Sequence, residues 1–268
     1  MIDTNQLLRR ASALHIHSVA ANWQTIIKNP EHEKLLQMLI EWEETERNRR
    51  KLELLVKRNG VIDLDPIANF DWSWPKKIDR EQVEDLFSLS FIEEKVNVVL
   101  IGSAGLGKTM IAKNLVDLAS RKGLPSLFVE SSKLMGELVP ETTRRGLEAA
   151  LAKYTKPKLL AIDELGYLAY DTRFADLLFQ LIQRRAKNSS TIITTNRAFY
   201  EWNDVFPNAA SVTALIDRIV ERCEVIKIEG DSFRQKRFLE RQIKKTKKPS
   251  KAAAPQAQPK GTEPVLPK

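Results

Sequence analysis

An apolar run, Val96 to Ile101, leads into Gly102-Ser103-Ala104-Gly105-Leu106-Gly107-Lys108-Thr109, and Met110 to Val116 continues as a helical pattern. A strand, a glycine loop and then Lys-Thr opening a helix is the setting in which G-x-x-x-x-G-K-T has a physical use. The glycines let the backbone curl with its N–H groups pointing at an anion. The helix start adds partial positive charge. Lys108 is placed to neutralise β- and γ-phosphate charge, and the Thr109 hydroxyl to ligate Mg²⁺. Gly102 to Thr109, with Met110 after them, are thus the candidate contacts to a nucleoside triphosphate.

A second landmark lies 55 residues beyond Lys108, where the apolar strand Lys158 to Ile162 ends in Asp163-Glu164. Beside a phosphate loop, the first acid suits Mg²⁺, and the second can polarise an attacking water as a general base. Further strands are expected at 126–130, 191–196 and 224–229, with helices between, so the fold class is α/β with a parallel sheet. Ligand-facing residues then sit at the carboxyl ends of the strands. Asn196 either faces the γ-phosphate there or is an ordinary turn residue. Ser131-Ser132 can cap a helix that runs over 133–155, until Lys156-Pro157 breaks it. The segment 217–222 reads as helical, and Arg218 and Arg222 in it are either ion-paired or an arginine finger offered to a neighbouring subunit.

Upstream, residues 4–28 read as one or two helices and 31–58 as one long amphipathic helix. Glutamates precede arginines along the latter. Its Arg49 and Arg50 either join i,i+4 ion pairs, such as Glu43–Arg47 and Glu46–Arg50, or lie on a phosphate backbone. Residues 61–85 form a connector whose Phe70, Trp72 and Trp74 pin it to a neighbouring surface, and Asp79 caps a helix over 80–89. A final helix spans 233–242. The net charge of +8 is mainly a property of the end of the chain: from Gln242 on there are seven lysines against one acid. Such a Lys/Ala/Pro/Gln tail cannot build a core. It either attracts nucleic acid or solubilises the chain. The single cysteine, Cys223, suits a reducing compartment. No apolar run reaches the roughly 18–20 residues of a membrane span, and the amino terminus is not a signal peptide, so a cytoplasmic protein is expected. The organisation is a helical domain over 1–60, a connector over 61–85, an α/β domain over 86–241 and a basic tail over 242–268.

These parts resemble the AAA+ ATPases, and most closely the IstB-like helper ATPases of bacterial insertion sequences, relatives of the DnaC helicase loaders. The resemblance rests on Ile162-Asp163-Glu164-Leu165-Gly166-Tyr167, Leu178 to Ile182 with Arg184-Arg185, and Ser190 to Asn196. It also includes Phe199-Tyr200-Glu201-Trp202, Asp217-Arg218 and Gly230-Asp231-Ser232-Phe233-Arg234. Phe233 stands where tyrosine is usual, Thr195 where serine is, and Ser103-Ala104 where two prolines are common.

The resemblance implies a five-stranded parallel AAA+ sheet behind an all-α amino-terminal domain. It implies an ATPase using ATP and Mg²⁺, assembled as a ring or helical clamp on duplex DNA, that delivers target DNA to an IstA-like partner transposase. ATP would lie between subunits, with Lys108, Thr109, Asp163, Glu164 and Asn196 from one and Arg218 from the next, and with Arg234 as a second sensor in cis. Lys133, Arg144, Arg145 and Lys153 would face DNA. A helicase loader shares this core, and a small-molecule P-loop kinase shares the phosphate loop. Asp163-Glu164 with Asn196 argues for activating water over transfer to an acceptor.

Overall fold

The structure is a computed structural model that describes residues 4–167, 170–207 and 209–246. Five strands, β1 (Asn97–Gly102), β2 (Ser126–Glu130), β3 (Leu159–Asp163), β4 (Ser190–Thr195) and β5 (Cys223–Ile228), form one sheet in the order β2-β3-β4-β1-β5. All pairings are parallel, with Val98 opposite Ile192 and Glu224, and Ile162 opposite Val129 and Ile193. β3 and β4 are buried along their whole length, which is why they read as continuous apolar or threonine-rich runs: helices cover both faces.

Alternation along the strands splits the core in two. Val99, Leu160, Ile162 and Ile193 face one layer, and Val98, Leu100, Ala161 and Ile192 face the other. The first layer is built from α8 (Ser131–Leu138), α9 (Arg144–Thr155), α10 (Thr172–Arg185) and α11 (Ala209–Val220). The second holds α5 (Arg80–Leu86), α6 (Ser90–Glu93) and α7 (Lys108–Arg121). Each fully buried Leu, Ile or Val contributes about 1.5–3 kcal/mol.

Residues 4–26 fold as three short helices, α1 (Thr4–Ala13), α2 (His17–Ala21) and α3 (Trp23–Ile26), one more than the pattern suggests. They pack Leu7, Ala11, Leu14 and Trp23 around Leu36 and Ile40 of α4 (Pro30–Arg58). Asn29 caps α4 by accepting from the Glu31 N–H at 3.0 Å. α4 also lies on α7, so the same helix packs on the amino-terminal helices and on a helix of the second core layer. The expected helix over 133–155 is two helices, because Pro140 interrupts it and Thr143 restarts it by accepting from the Gly146 N–H. α11 begins well before 217, and the last helix, α12 (Phe233–Thr246), continues past 242. The rest of the basic tail lies outside the described residues. No described helix is long and apolar enough to cross a membrane.

Arg185 closes the first core layer. It is 1% exposed and faces no acid. Its guanidinium donates to the carbonyls of Tyr154 (2.7 Å), Pro157 (2.9 Å) and Ser190 (2.6 Å) and to the Thr191 hydroxyl (3.0 Å). It thereby satisfies the carboxyl end of α9 and the start of β4 together, and burial pulls its pKa down to about 9. Its neighbour Arg184 makes an exposed pair with Glu148 at 2.7 and 2.8 Å. Urea denaturation should separate the two. Arg185→Met leaves several buried acceptors unpaired and should cost about 3 kcal/mol or more, whereas Arg184→Met should cost about 1 kcal/mol or less.

Candidate active site

β1 delivers the chain to the glycine loop, and α7 takes over at Lys108. Gly105 (φ 79°) and Gly107 (φ 88°) hold left-handed conformations. A Cβ on either would lie 2.3 Å from the Ser232 hydroxyl or the Phe70 ring. The Lys108 ammonium donates to the carbonyls of Gly102 (2.6 Å) and Ser103 (2.8 Å). Burial pulls its pKa down to about 8, against the opposing pull of Asp163 and Glu164.

Asp163 is the point where three segments meet. Its carboxylate is 3.0–3.1 Å from the Thr109 hydroxyl at the start of α7 and accepts from the Thr194 hydroxyl near the end of β4. Burial pushes this carboxyl up, and the two hydroxyl hydrogen bonds oppose the shift. Among the described residues no group of three His, Cys, Asp or Glu forms a metal cluster. A single hydroxyl and a single carboxylate are hard oxygen donors that fit Mg²⁺, which keeps most of its shell for water and phosphate.

A cavity of about 620 Å³ opens from the loop and is lined by residues 104–110, Glu164, Tyr167, Thr194, Phe233, Arg234 and Arg237. Its remaining wall is the connector, through Asp65, Asn69, Phe70, Asp71, Trp74 and Pro75. The connector is fastened to the corner between β5 and α12. The Trp74 indole donates to the Asp231 carbonyl at 2.7 Å, Lys77 pairs with Glu229 across a short antiparallel bridge, and Lys236 lies 4.2 Å over the Trp74 ring. The aromatics do pin the connector, as read from the sequence. That the surface they pin it to is the cavity rim could not be read, since β5 and α12 lie far away in the chain. Thr194, Tyr167 and Arg237 are the other lining residues that sequence reasoning missed.

The candidate residues fall into two places. Lys108, Thr109, Asp163, Glu164 and Arg234 gather at the carboxyl ends of β1 and β3. Asn196 is exposed just past β4, and the β4 residue that lines the cavity is Thr194. Arg218 sits at the opposite edge of the sheet. With Arg222, Lys95, Lys187 and Asn97 it lines a second hollow of about 490 Å³, and it pairs with Glu221 at 3.1 Å. Because Asn97 starts β1 and Gly102 ends it, the strand's length, about 17 Å, separates Arg218 from the phosphate loop of its own chain.

Among the residues considered for DNA, Arg49 is paired with Glu46 and Glu53, Arg50 with Glu46 and Lys153 with Glu137. Lys133, Arg144 and Arg145 are exposed on α8 and α9. Of the motif Phe199-Tyr200-Glu201-Trp202, Trp202 is fully buried and packs on Phe206, and the partly buried Phe199 packs on Trp202.

The family described as IstB-like ATP binding protein matches residues 9–241. The chain belongs to that family. It is 30% identical over 238 residues to the protein named for ATP binding in insertion sequence IS5376 of Geobacillus stearothermophilus, a match covering 86% of this chain and 95% of that one. It is 35% identical over 190 residues to the corresponding IS232 protein of Bacillus thuringiensis, covering 71% and 76%. Among solved structures, AMPPCP-bound DnaA from Aquifex aeolicus is similar in fold, with a TM-score of 0.50 at 16% identity over 71% of this chain and 59% of that one. The sheet order, the phosphate loop and the acids ending β3 together make this IstB-like chain a P-loop AAA+ fold.

The depressed Lys108 pKa has a measurable consequence. A polyphosphate seated on the loop favours the charged ammonium, so binding raises the Lys108 pKa from about 8. Between that value and the ordinary lysine range, the bound form therefore holds more protons. Titration calorimetry at pH 8.5 in buffers of different ionisation enthalpy should show proton uptake on nucleotide binding, with affinity falling as pH rises through 8. Uptake should shrink at pH 6.5 and vanish in Lys108→Arg.

Proposed function

We propose that the chain is an ATP-hydrolysing, DNA-binding helper of transposition. It assembles with ATP on duplex DNA, deforms or marks that DNA for an IstA-like partner transposase, and is released by hydrolysis. The observation that carries this reading is the placement of Asp163 and Glu164 beside Lys108 and Thr109, with Arg218 at the far edge of the same sheet. A site with its acids at one edge and its candidate finger at the other is completed by a second copy stacked head to tail, which yields rings or helices. The insertion-sequence names of the relatives support the biological setting.

In the mechanism, the loop N–H groups and Lys108 hold the β- and γ-phosphates, and Thr109 and Asp163 would hold Mg²⁺. The chemistry supplied by a bound Mg²⁺ would be neutralisation of charge on the phosphate oxygens. Glu164 accepts the proton of a water whose oxygen attacks the γ-phosphorus, and the bond to the β-phosphate oxygen breaks to release ADP. Arg234 balances phosphate charge in cis, and Arg218 of the neighbouring subunit supplies the remaining positive charge. Losing the γ-phosphate removes what Arg218 grips, so the contact between subunits loosens. Lys133, Arg144 and Arg145, exposed on adjoining helices, are placed to meet a phosphate backbone.

Glu164→Gln should keep ATP binding and ATP-dependent gel shift of plain duplex while slowing phosphate release on the order of 10²-fold or more. Arg218→Ala should lose both hydrolysis and ATP-dependent assembly but bind nucleotide as an isolated subunit with unchanged affinity. A preference for single-stranded DNA and a replicative helicase would instead establish a helicase loader, and a phosphorylated small molecule in place of free phosphate a kinase.

A further inference from the structure

Five non-glycine residues among those described have a left-handed backbone, and Glu164, at φ 59°, is the one that lines the phosphate cavity. A residue with a Cβ adopts this conformation only where its surroundings impose it. The Glu164 N–H donates to the Thr194 hydroxyl at 2.9 Å, and its carbonyl accepts from the Ser131 hydroxyl at 3.0 Å. Two residues on, the Gly166 N–H donates to the Tyr170 hydroxyl at 3.0 Å, which in turn donates to Ser131 Oγ at 3.1 Å. The chain of donors from Gly166 through Tyr170 and Ser131 to Glu164 therefore closes on the turn it started from, with each hydroxyl donating once and accepting once.

Both hydroxyls are built in. Ser131 is 2% and Tyr170 5% exposed, and the Tyr170 ring is held between Phe206, stacked at 4.6 Å, and Phe174 at 4.9 Å. Ser131 also departs from its sequence expectation. Glu130 occupies the cap position of α8, no side chain caps that helix, and the Ser131 hydroxyl is committed to Glu164 instead. Neither Ser131 nor Tyr170 lines the cavity, so neither touches a nucleotide there.

We propose that Ser131 and Tyr170 are positioning residues that lock the turn carrying Glu164, aiming its carboxylate at the attacking water. The proposal rests on Glu164 acting as the general base of the hydrolysis described above. Ser131 is the first residue of α8, the helix that bears Lys133, so the clamp also ties the set of Glu164 to that helix.

The test uses the full-length chain with Ser131→Ala, Ser131→Thr, Tyr170→Phe and the Ser131→Ala/Tyr170→Phe double variant, with Glu164→Gln alongside. Misaiming a catalytic group by about 1 Å costs on the order of 10²-fold. Ser131→Ala and Tyr170→Phe should therefore lower kcat by roughly 10- to 100-fold, with nucleotide Kd within about twofold of wild type. Ser131→Thr, which keeps the hydroxyl, should recover most of the loss. The double variant should be no worse than the poorer single one, because the two residues form one unit. Wild-type hydrolysis in Ser131→Ala, or a Kd that loosens in step with kcat, overturns the clamp while leaving the general-base reading intact if Glu164→Gln is inactive. Full hydrolysis by Glu164→Gln overturns the general-base reading and the clamp with it.

Discussion

Asp163 is a buried carboxylate, and a buried carboxylate has to be satisfied by donors. Here the donors are two hydroxyls from distant points of the chain, Thr109 at the start of α7 and Thr194 near the end of β4. Meeting that requirement draws the phosphate loop, β3 and β4 to one place. Thr194 then passes the constraint on, since its oxygen also accepts from the Glu164 N–H. Asp163 and Glu164 are adjacent in sequence and share Thr194, yet they are held in different ways. One is fixed through its side chain and the other through its backbone.

The sheet gives this site its polarity. Every strand is parallel, so all carboxyl ends share one edge, and the loop, the acids and the mouth of the cavity collect there. The amino-terminal edge carries its own group of cations around Arg218. In the proposed shared site, the loop edge of one copy meets the Arg218 edge of the next, which is a head-to-tail contact. The connector and the first turn of α12 enclose the cavity from the side, and α4 braces α7 from behind.

The sequence made much of this legible, because the strands are short apolar runs between turn signals and the loop has a strict spacing. The limits followed physical lines. Asn196 follows the last strand residue, whereas Thr194, two positions earlier, is the one whose side chain reaches Asp163 and the cavity. Ser131 has the residue type of a helix cap, and only the fold reveals a stronger use for its hydroxyl. Arg184 and Arg185 are neighbours in sequence, but helical geometry puts one in water and the other in the core. The arginines of α4 had two readings, and the structure ties Arg49 and Arg50 to acids of their own helix. The connector's place on the cavity rim depends on β5 and α12, more than 150 residues away.

The central claim is that each hydrolytic site is shared between two copies of the chain. Mixing two inactive variants tests it most directly. Arg218→Ala keeps an intact loop and Glu164, and Glu164→Gln keeps an intact Arg218. In an equal mixture on duplex DNA, a Glu164→Gln subunit can offer its Arg218 to the intact loop and Glu164 of an Arg218→Ala subunit, and each such contact is a complete site. Phosphate release should therefore reappear on mixing, at a level neither variant reaches alone. A mixture no more active than the sum of its parts would contradict a shared site.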